Sequence, residues 1–245
     1  MPLLEIKNVS KRFGGLKAVS DVSMAIEVGE IAFIVGPNGA GKTTLFNLIT
    51  SVHQADAGQI IFDGREITHL SPDRAAKRGI GRTFQIVKPL RNLTVLENTM
   101  LGAFQHTSSP AVAEQESSKV LQFLGMSKAM HLPARGMGLP MMKRLEIARA
   151  LATKPKLILL DEVVAGLPTS EALKLADLLK RLPEWGVAAI GGVEHVMQVV
   201  MKIADRVVVL DHGVKIAEGK PEDVVHRPEV IEAYLGPKYK EVLKK

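Results

Sequence analysis

Three short apolar runs predict strands that are buried on both faces. They are Ile31–Val35, residues 156–162 and residues 187–195. Nearly continuous apolar runs of this length, rich in β-branched residues, are typical of central strands in a parallel sheet. Each run ends in polar residues, and ligands of open α/β sheets bind beyond the carboxyl ends of the parallel strands. We therefore expect the functional residues to meet at this edge of the sheet.

Alternation of apolar and polar residues predicts a second kind of strand near the N-terminus. Residues 3–13 and 19–28 alternate in this way and run into glycine-containing turns. Asp63 and Gly64 separate two further short strands and give a strong hairpin signal. The first third of the chain therefore combines antiparallel strands with one buried strand of the parallel type.

Helical spacing and local turn chemistry predict most of the remaining elements. These are helices near residues 43–51, 73–78, 143–155 and 170–182, the last with a serine cap, a strand over 79–85 and a hairpin at 211–213. Residues 89–140 lack β-branched runs and are predicted to be mostly helical. Within them, a mobile segment is expected at 106–115.

A glycine-rich loop follows the first buried strand and precedes a helical pattern. Its sequence, GPNGAGKT, has the spacing G-x-x-x-x-G-K-T of a phosphate-binding loop. Its glycines let backbone N–H groups turn toward one anion, and the following helix adds its positive end. Lys42 is expected to reach the outer phosphates, and the Thr43 hydroxyl is expected to hold Mg²⁺. The residues expected to bind a nucleoside triphosphate here are Gly36, Pro37, Asn38, Gly39, Ala40, Gly41, Lys42, Thr43 and Thr44.

The other two buried strands end in groups that suit hydrolysis of a phosphate bond. Asp161 follows four apolar residues, the expected place for a carboxylate that holds Mg²⁺ directly or through water. Glu162 would then polarise the attacking water as a general base. His195 ends the third run. Paired carboxylates at a strand end also occur as loop caps or salt bridges, but the preceding phosphate loop favours catalysis.

Composition narrows the possible partners only slightly. Among 245 residues, aromatics are 4%, which speaks against a surface that stacks single-stranded nucleic acid. The net charge of +6 is spread along the chain and fits a solvated surface, nucleic acid or an anionic membrane. Cysteine is absent, so disulfides are excluded. No apolar run reaches transmembrane length and no signal peptide is recognisable, so a cytosolic location is expected unless a partner holds the chain at a membrane.

These motifs together resemble the ATP-binding-cassette (ABC) ATPases, the nucleotide-binding subunits of ABC transporters. The resemblance covers nearly the whole chain. It implies an α/β fold with a P-loop NTPase (RecA-like) core, an antiparallel β subdomain and a helical subdomain. On this basis residues 1–88 and 154–245 would form the β subdomain and core, and residues 89–153 the helical subdomain.

The resemblance also implies roles for individual residues. Phe13 matches the aromatic position that stacks on adenine, although a core aromatic would look the same in the sequence. Gln85 matches the Q-loop glutamine that reaches Mg²⁺ and the attacking water, and residues 165–168 match the D-loop. His195 matches the switch histidine that hydrogen-bonds the γ-phosphate. The implied cofactors are ATP and Mg²⁺, with Lys42, Gln85, Glu162 and His195 in catalytic roles.

Within the family, the chain is most similar to the branched-chain amino acid importer ATPases. The stretches RTFQIVKPLRNLTVLEN and IEAYLG are among those that carry this similarity. It implies permease subunits, a second ATPase subunit in a head-to-tail homodimer or heterodimer, and a substrate-binding protein. It also implies a peripheral place on the cytoplasmic face of the inner membrane, without nucleic acid. Lipopolysaccharide-export ATPases are the nearest alternative among transporters.

One motif departs from the family pattern. The signature LSGGQ should precede the basic pair 143–144, where this chain has MGLPM at residues 137–141. Gly138 replaces the serine, and Pro140 replaces a glycine whose N–H contacts the partner's ATP. A hydrogen bond to a charged group contributes roughly 1.5–3 kcal/mol, so closure on ATP is expected to weaken unless nearby amides compensate. Val163 and Val196 are smaller departures from the family's proline and aspartate.

Three other functions stay open at this point. A soluble ABC protein acting on nucleic acid is suggested only by the charge, and such proteins usually join two cassettes or contain long coiled coils. A regulator with weak hydrolysis is favoured by MGLPM but opposed by the intact carboxylates and His195. A P-loop kinase or GTPase is disfavoured because no guanine-selective N-K-x-D motif is present.

Overall fold

The computed structural model of the protein describes residues 1–85 and 88–235. It contains two compact units. The first comprises Met1–Ala75 and the described residues from Ala189 onward, and the second comprises Ala76–Ala188. The predicted helical segment, residues 89–153, lies entirely within the second unit. Residues 86–87, within the family-like stretch after Gln85, and the basic end of the chain lie outside the described residues.

Ten strands are present in the described part of the chain. They are β1 (Leu4–Phe13), β2 (Leu16–Ile26), β3 (Ile31–Val35), β4 (Ala57–Phe62), β5 (Arg65–Glu66), β6 (Ile80–Arg82), β7 (Leu157–Asp161), β8 (Ala189–Val193), β9 (Arg206–Asp211) and β10 (Val214–Gly219). In the first unit β2, β1, β4 and β5 form one antiparallel sheet in that order. The hairpin predicted at Asp63 and Gly64 joins β4 to β5. In it Ile61 pairs with Glu66, and Phe62 pairs with Arg65.

The second sheet of the first unit is centred on β3. Parallel strands flank it on both sides, with Ile34 opposite Val193 of β8 and opposite Val208 of β9. β9 continues into antiparallel β10 through the predicted turn at residues 211–213. All five residues of β3 and all five of β8 are buried, which confirms that these apolar runs form strands covered on both faces.

The helices of the described residues are mostly short. They are α1 (Lys42–Ile49), α2 (Pro72–Lys77), α3 (Val95–Ala103), α4 (Pro110–Phe123), α5 (Leu139–Ala152), α6 (Thr169–Leu179), α7 (Met197–Ile203), α8 (Pro221–Val224) and α9 (Pro228–Leu235), with 3₁₀ turns at Ser127–Ala129 and Leu182–Trp185. None of those described combines the length and apolar character that a membrane span requires. In the second unit α3, α4 and α5 pack together around Ala103, Ala113 and Ala152.

β6 and β7 of the second unit pair in parallel, with Ile80 opposite Leu157. All five residues of β7 are buried, as the apolar run predicted. The α/β fold class is therefore confirmed, with strands of the parallel core and a separate antiparallel sheet.

Three local predictions are wrong. Helix α4 begins at Pro110, inside the segment expected to be mobile, because the Ser109 side chain caps it and proline suits the first helical turn. Helix α6 begins at Thr169, so Ser170 lies inside the helix and does not cap it. Helix α5 begins at Leu139, four residues before the predicted start, because the last three residues of MGLPM form its first turn.

Candidate functional site

The phosphate loop joins β3 to α1, as the motif requires. Lys42 is 5% exposed, and its Nζ donates hydrogen bonds to the backbone oxygens of Gly36 (2.7 Å) and Pro37 (2.8 Å). These bonds hold a positive charge over the loop. A charge fixed in this way suits the binding of a phosphate oxygen, because a charge-assisted hydrogen bond is about twice as strong as a neutral one.

Two loop positions accept only glycine. Gly36 has φ +149°, and a Cβ there would lie 2.1 Å from the backbone oxygen of Leu210. Gly41 has φ +97° and is the N-cap of α1, and a Cβ there would lie 2.3 Å from the backbone oxygen of Ala18. The spacing of the motif is thus fixed by the close approach of the loop to neighbouring backbone.

The outer part of the loop is open to solvent. Asn38 and Gly39 are exposed, as is Thr43 in the first turn of α1, while Thr44 is half-buried. The first helical hydrogen bond runs from the N–H of Leu45 to the oxygen of Gly41 (2.9 Å). The exposed residue Thr43 therefore lies at the positive end of this helix, where an anion is stabilised.

The C-terminal helix α9 lies beside the same loop. Loop residues 37–40, the β9–β10 turn and α9 enclose a cavity of about 530 Å³. Burial raises the pKa of the Tyr234 hydroxyl on this helix, while the backbone of Gly36 opposes the rise.

The first unit also contains Phe13 and His195. Phe13 ends β1 and is 43% exposed, so it is not a core aromatic, and its ring meets that of His53 edge-on at 5.1 Å. His195 is exposed and lies two residues beyond β8. Because β8 pairs in parallel with β3, His195 and the loop follow the carboxyl ends of neighbouring strands.

In the second unit, Asp161 ends β7 in a buried ion pair. Its Oδ2 lies 2.8 Å from Nη2 of Arg82, and the two side chains are 1% and 8% exposed. The N–H of Asp161 donates to the hydroxyl of Thr83 (3.0 Å). Its other oxygen, Oδ1, is buried and has no hydrogen-bond partner among the described residues. A carboxylate oxygen of this kind fits a ligand to Mg²⁺ or to its bound water.

Glu162 is held at both ends. Gln85 donates from Nε2 to Glu162 Oε2 (2.8 Å), and Lys143 donates from Nζ to the backbone oxygen of Glu162 (2.7 Å). Glu162 also has φ +50°, a left-handed conformation that is uncommon outside glycine. The second unit thus brings Gln85, Asp161 and Glu162 together, because Gln85 lies just beyond β6 while Asp161 ends its paired strand β7 and Glu162 follows it.

The divergent motif MGLPM forms the start of α5. Gly138 is the N-cap, and no side chain caps this helix. Its oxygen accepts from the N–H groups of Met141 (3.1 Å) and Met142 (3.0 Å). Pro140 lies in the first turn and has no N–H, so this helix end has one donor fewer than usual.

Two residues next to the predicted site had no motif to reveal them. Arg82 lies inside the strand predicted over 79–85, and Lys143 opens the amphipathic helix predicted over 143–155. A basic residue in a short strand that precedes Gln85 is a weak signal for a buried partner. Nothing in the sequence identifies which carboxylate or carbonyl either side chain reaches.

Comparison with known proteins shows which family shares this arrangement. The model described as ABC transporter matches residues 19–165, and one described as branched-chain amino acid ATP-binding cassette transporter matches residues 214–236. A probable branched-chain amino acid transport ATP-binding protein, LivG of Archaeoglobus fulgidus, is 35% identical over 99% of this chain and 98% of its own length. The high-affinity counterpart BraF of Pseudomonas aeruginosa is 35% identical over 96% and 98%.

Solved structures agree with the sequence relatives. A nucleotide-free ATP-binding cassette from an ABC transporter has a TM-score of 0.88 and 34% identity, covering 96% of this chain and 100% of its own. A dimeric ATP-binding cassette bound to ADP and Pi in a post-hydrolysis state has a TM-score of 0.80 and 28% identity, covering 89% and 98%. The chain therefore belongs to the ABC transporter family, as one of its ATP-binding cassette ATPases.

Proposed function

We propose that this ATPase powers the import of branched-chain amino acids or similar small polar solutes. The observation that carries the cargo class is the likeness, over 96–99% of the chain, to transport proteins named for those amino acids. Export of another cargo, such as lipopolysaccharide, is the alternative. The chain itself supplies the nucleotide chemistry, and the cargo would be read by other subunits.

The phosphate loop binds the triphosphate in this proposal. Lys42 contacts the outer phosphates from its position over the loop, and backbone N–H groups of residues 36–44 surround the anion. The exposed ring of Phe13 stacks on adenine. Its exposure supports this role, because a core aromatic would be unable to meet a ligand.

Mg²⁺ would be held by Thr43, Gln85 and Asp161. The orphaned Oδ1 of Asp161 is the observation that supports this assignment within the second unit. When bound, the ion neutralises charge on the β- and γ-phosphates. Arg82 holds the opposite oxygen of the Asp161 carboxylate, so the carboxylate has one orientation before any ion binds.

Hydrolysis then requires a base and a group that stabilises the γ-phosphate. Glu162 accepts a proton from the attacking water, and Gln85 orients the Glu162 carboxylate through its 2.8 Å hydrogen bond. His195 donates a hydrogen bond to the γ-phosphate. The attack breaks the bond between the γ-phosphorus and the bridging oxygen, which leaves ADP and inorganic phosphate.

We further propose that the chain works as half of a head-to-tail pair of cassettes on permease subunits. The pair would lie at the cytoplasmic face of the membrane, with a substrate-binding protein on the other side. The dimeric structure of a related cassette supports the pairing. In such a pair MGLPM would meet ATP bound to the partner, so a second cassette with a complete signature would give faster hydrolysis.

A regulator with weak hydrolysis is the second candidate, and the specific observation in its favour is Pro140. Proline removes an N–H from the helix end that would meet the partner's nucleotide. One set of measurements separates the two candidates. ATP hydrolysis is compared in wild type and Glu162→Gln, each with and without permease and a second cassette.

The matched control is Glu171→Gln, which removes a carboxylate from an exposed ion pair on α6. Transport ATPase activity predicts a fall of at least 100-fold for Glu162→Gln, with ATP binding retained, and an unchanged rate for Glu171→Gln. Equal rates in wild type and Glu162→Gln would refute the catalytic assignment. Uptake of labelled leucine by the reconstituted complex tests the cargo class, and transport of a lipid-linked sugar instead would replace it.

A further inference from the structure

The backbone of Glu162 is held in a conformation that it would rarely adopt alone. Its φ of +50° lies in the left-handed region, which non-glycine residues occupy only where the surroundings enforce it. Such outliers gather at functional sites. Something in the second unit must therefore stabilise the peptide that follows this residue.

Lys143 contacts this peptide through its side chain. It is 4% exposed, and its Nζ donates to the backbone oxygen of Glu162 at 2.7 Å. The same oxygen accepts a longer bond, 3.2 Å, from the N–H of Ala165, which closes the turn into residues 165–168. A buried ammonium group is costly unless it is satisfied, so this bond fixes both partners.

The carboxylate end of Glu162 has its own restraint from Gln85. The two restraints come from separate elements, α5 and the segment after β6, and they act on opposite ends of one residue. With the carbonyl and the carboxylate both fixed, the direction of the side chain is determined. Displacement of a catalytic group by about 1 Å can cost on the order of 100-fold in rate.

We propose that Lys143 is a positioning residue for Glu162, acting through the Glu162 carbonyl. The inference rests on the proposed role of Glu162 as the general base and adds the residue that aims it. Lys143 does not touch substrate in this account. Its removal releases the left-handed peptide and lets the carboxylate turn away from the attacking water.

The position of Lys143 also connects the start of α5 to the Glu162 peptide. Lys143 is the fifth residue of α5, the helix whose N-terminus is formed by MGLPM. Near the same helix end, Leu139 lies beside Gly166, where a Cβ would approach the leucine side chain to 3.1 Å. A shift of this helix end therefore changes the Glu162 peptide in the same chain. In a head-to-tail pair, contact with the partner's nucleotide would thus influence this chain's own base.

A purely structural role for Lys143 is the alternative, because removing any buried lysine disturbs packing and nearby charges, including Glu146. The test compares Lys143→Met, Lys143→Arg and Arg144→Met in the full chain. Arg144 is the neighbouring residue on α5, and it too donates to a backbone oxygen, that of Leu124 at 3.0 Å. It therefore controls for the loss of one long cationic side chain from the same helix.

Three quantities are measured: kcat for ATP hydrolysis, Kd for a non-hydrolysable ATP analogue with Mg²⁺, and the ¹H–¹⁵N resonances of the Gln85 side-chain amide. Lys143→Met is expected to lower kcat at least tenfold, leave Kd within twofold, and shift the Gln85 amide as Glu162→Gln does. Lys143→Arg keeps a donor and should recover most of kcat. Arg144→Met should leave kcat within twofold and the Gln85 amide unmoved.

The outcomes separate this inference from the proposed function. If Glu162→Gln hydrolyses ATP at the wild-type rate, the proposed base is wrong and the inference falls with it. If Glu162→Gln loses activity but Lys143→Met retains kcat within twofold, or leaves the Gln85 amide unmoved, only the positioning role is overturned. An equal loss of kcat in Arg144→Met would also overturn it, because general disturbance of α5 would then explain the result.

Discussion

The buried ion pair between Arg82 and Asp161 gives the sharpest stability prediction. Its two side chains are 8% and 1% exposed, and its atoms are 2.8 Å apart. Arg82→Met keeps a long side chain of similar shape but removes the charge and the hydrogen bond. The buried Asp161 carboxylate would then lose the cation at its Oδ2. Its other oxygen, Oδ1, already lacks a hydrogen-bond partner among the described residues.

The size of the effect follows from burial. Removing one partner of a buried pair costs about 3–5 kcal/mol, because the remaining charge is left uncompensated. The exposed pair of Arg181 and Glu184 has side chains that are 54% and 55% exposed, and losing a pair of this kind costs about 0.2–1 kcal/mol. Arg82→Met should therefore be destabilising by at least three times as much as Arg181→Met.

Urea unfolding at pH 7 without nucleotide or Mg²⁺ measures this difference. The chain has a single tryptophan, Trp185, and it lies in the same unit as the ion pair, so its fluorescence reports on the relevant unit. Far-UV circular dichroism of the same samples tests whether the transitions coincide. The double variant Arg82→Met with Asp161→Asn removes both charges and should regain most of the loss.

Two results would refute the reasoning. One is a loss below about 1 kcal/mol in Arg82→Met, which would place the pair with solvent-exposed bridges. The other is a double variant as unstable as the sum of the two single variants. Strict additivity would mean that the two side chains do not interact, since residues in contact show coupling.

Three further predictions concern other parts of the chain. Gly36→Ala would place a Cβ 2.1 Å from the Leu210 oxygen, so we expect loss of ATP-analogue binding and a stability loss above about 2 kcal/mol by urea unfolding. Burial raises the pKa of Glu30, but hydrogen bonds from Arg206 and a backbone N–H, together with the Arg206 charge, lower it by more, so the net pKa lies below its usual range. The resulting stability exists above the unfolded pKa and is lost as pH falls through the folded one, so Glu30→Gln should lower the thermal midpoint at pH 7 by more than it does at pH 3. Asn98 is fully buried and donates to three backbone oxygens, so Asn98→Ala should cost about 1–3 kcal/mol in urea unfolding, and a loss below 0.5 kcal/mol would contradict this account.

Sequence reasoning succeeded where local chemistry decides the structure. The run Ile31–Val35 is apolar at every position, so it has no face that tolerates water, and it is buried throughout. Asp63 and Gly64 both have positive φ, which their residue types accommodate, and the predicted hairpin follows. The phosphate loop was predictable because its glycines and its lysine all lie within eight residues, between a strand and a helix that the neighbouring sequence also predicts.

Local reasoning failed where packing outweighs composition. Residues 106–115 were expected to be mobile, but from Pro110 onward they belong to α4, where Ala113 is buried and the helix packs against α3 and α5. Ser117 is buried as well, so the buried face of α4 includes a polar residue and cannot be recognised from hydrophobic residues alone. Packing against neighbouring helices therefore stabilises α4, and the local sequence pattern does not predict that packing.

Long-range polar contacts were out of reach for a different reason. Arg82 and Asp161 are 79 residues apart, and Lys143 is 19 residues from Glu162. Periodicity indicates which face of a strand or helix is buried, but it does not indicate the partner of a single charged side chain. Motifs therefore suffice to propose candidate site residues, but they do not predict the residues that hold those candidates in place, such as Arg82 and Lys143.

The cavity that α9 shares with the phosphate loop bears on how ATP use can differ between related cassettes. Helix α9 lies within residues 214–236, the part matched by the branched-chain amino acid model, whereas the loop lies within the general ABC transporter match. A segment matched by the model of one branch thus lies beside the phosphate loop that the general model matches. Changes acquired in α9 can alter nucleotide handling without any substitution in the loop itself, so related importers could differ in ATP use while their loop sequences stay the same.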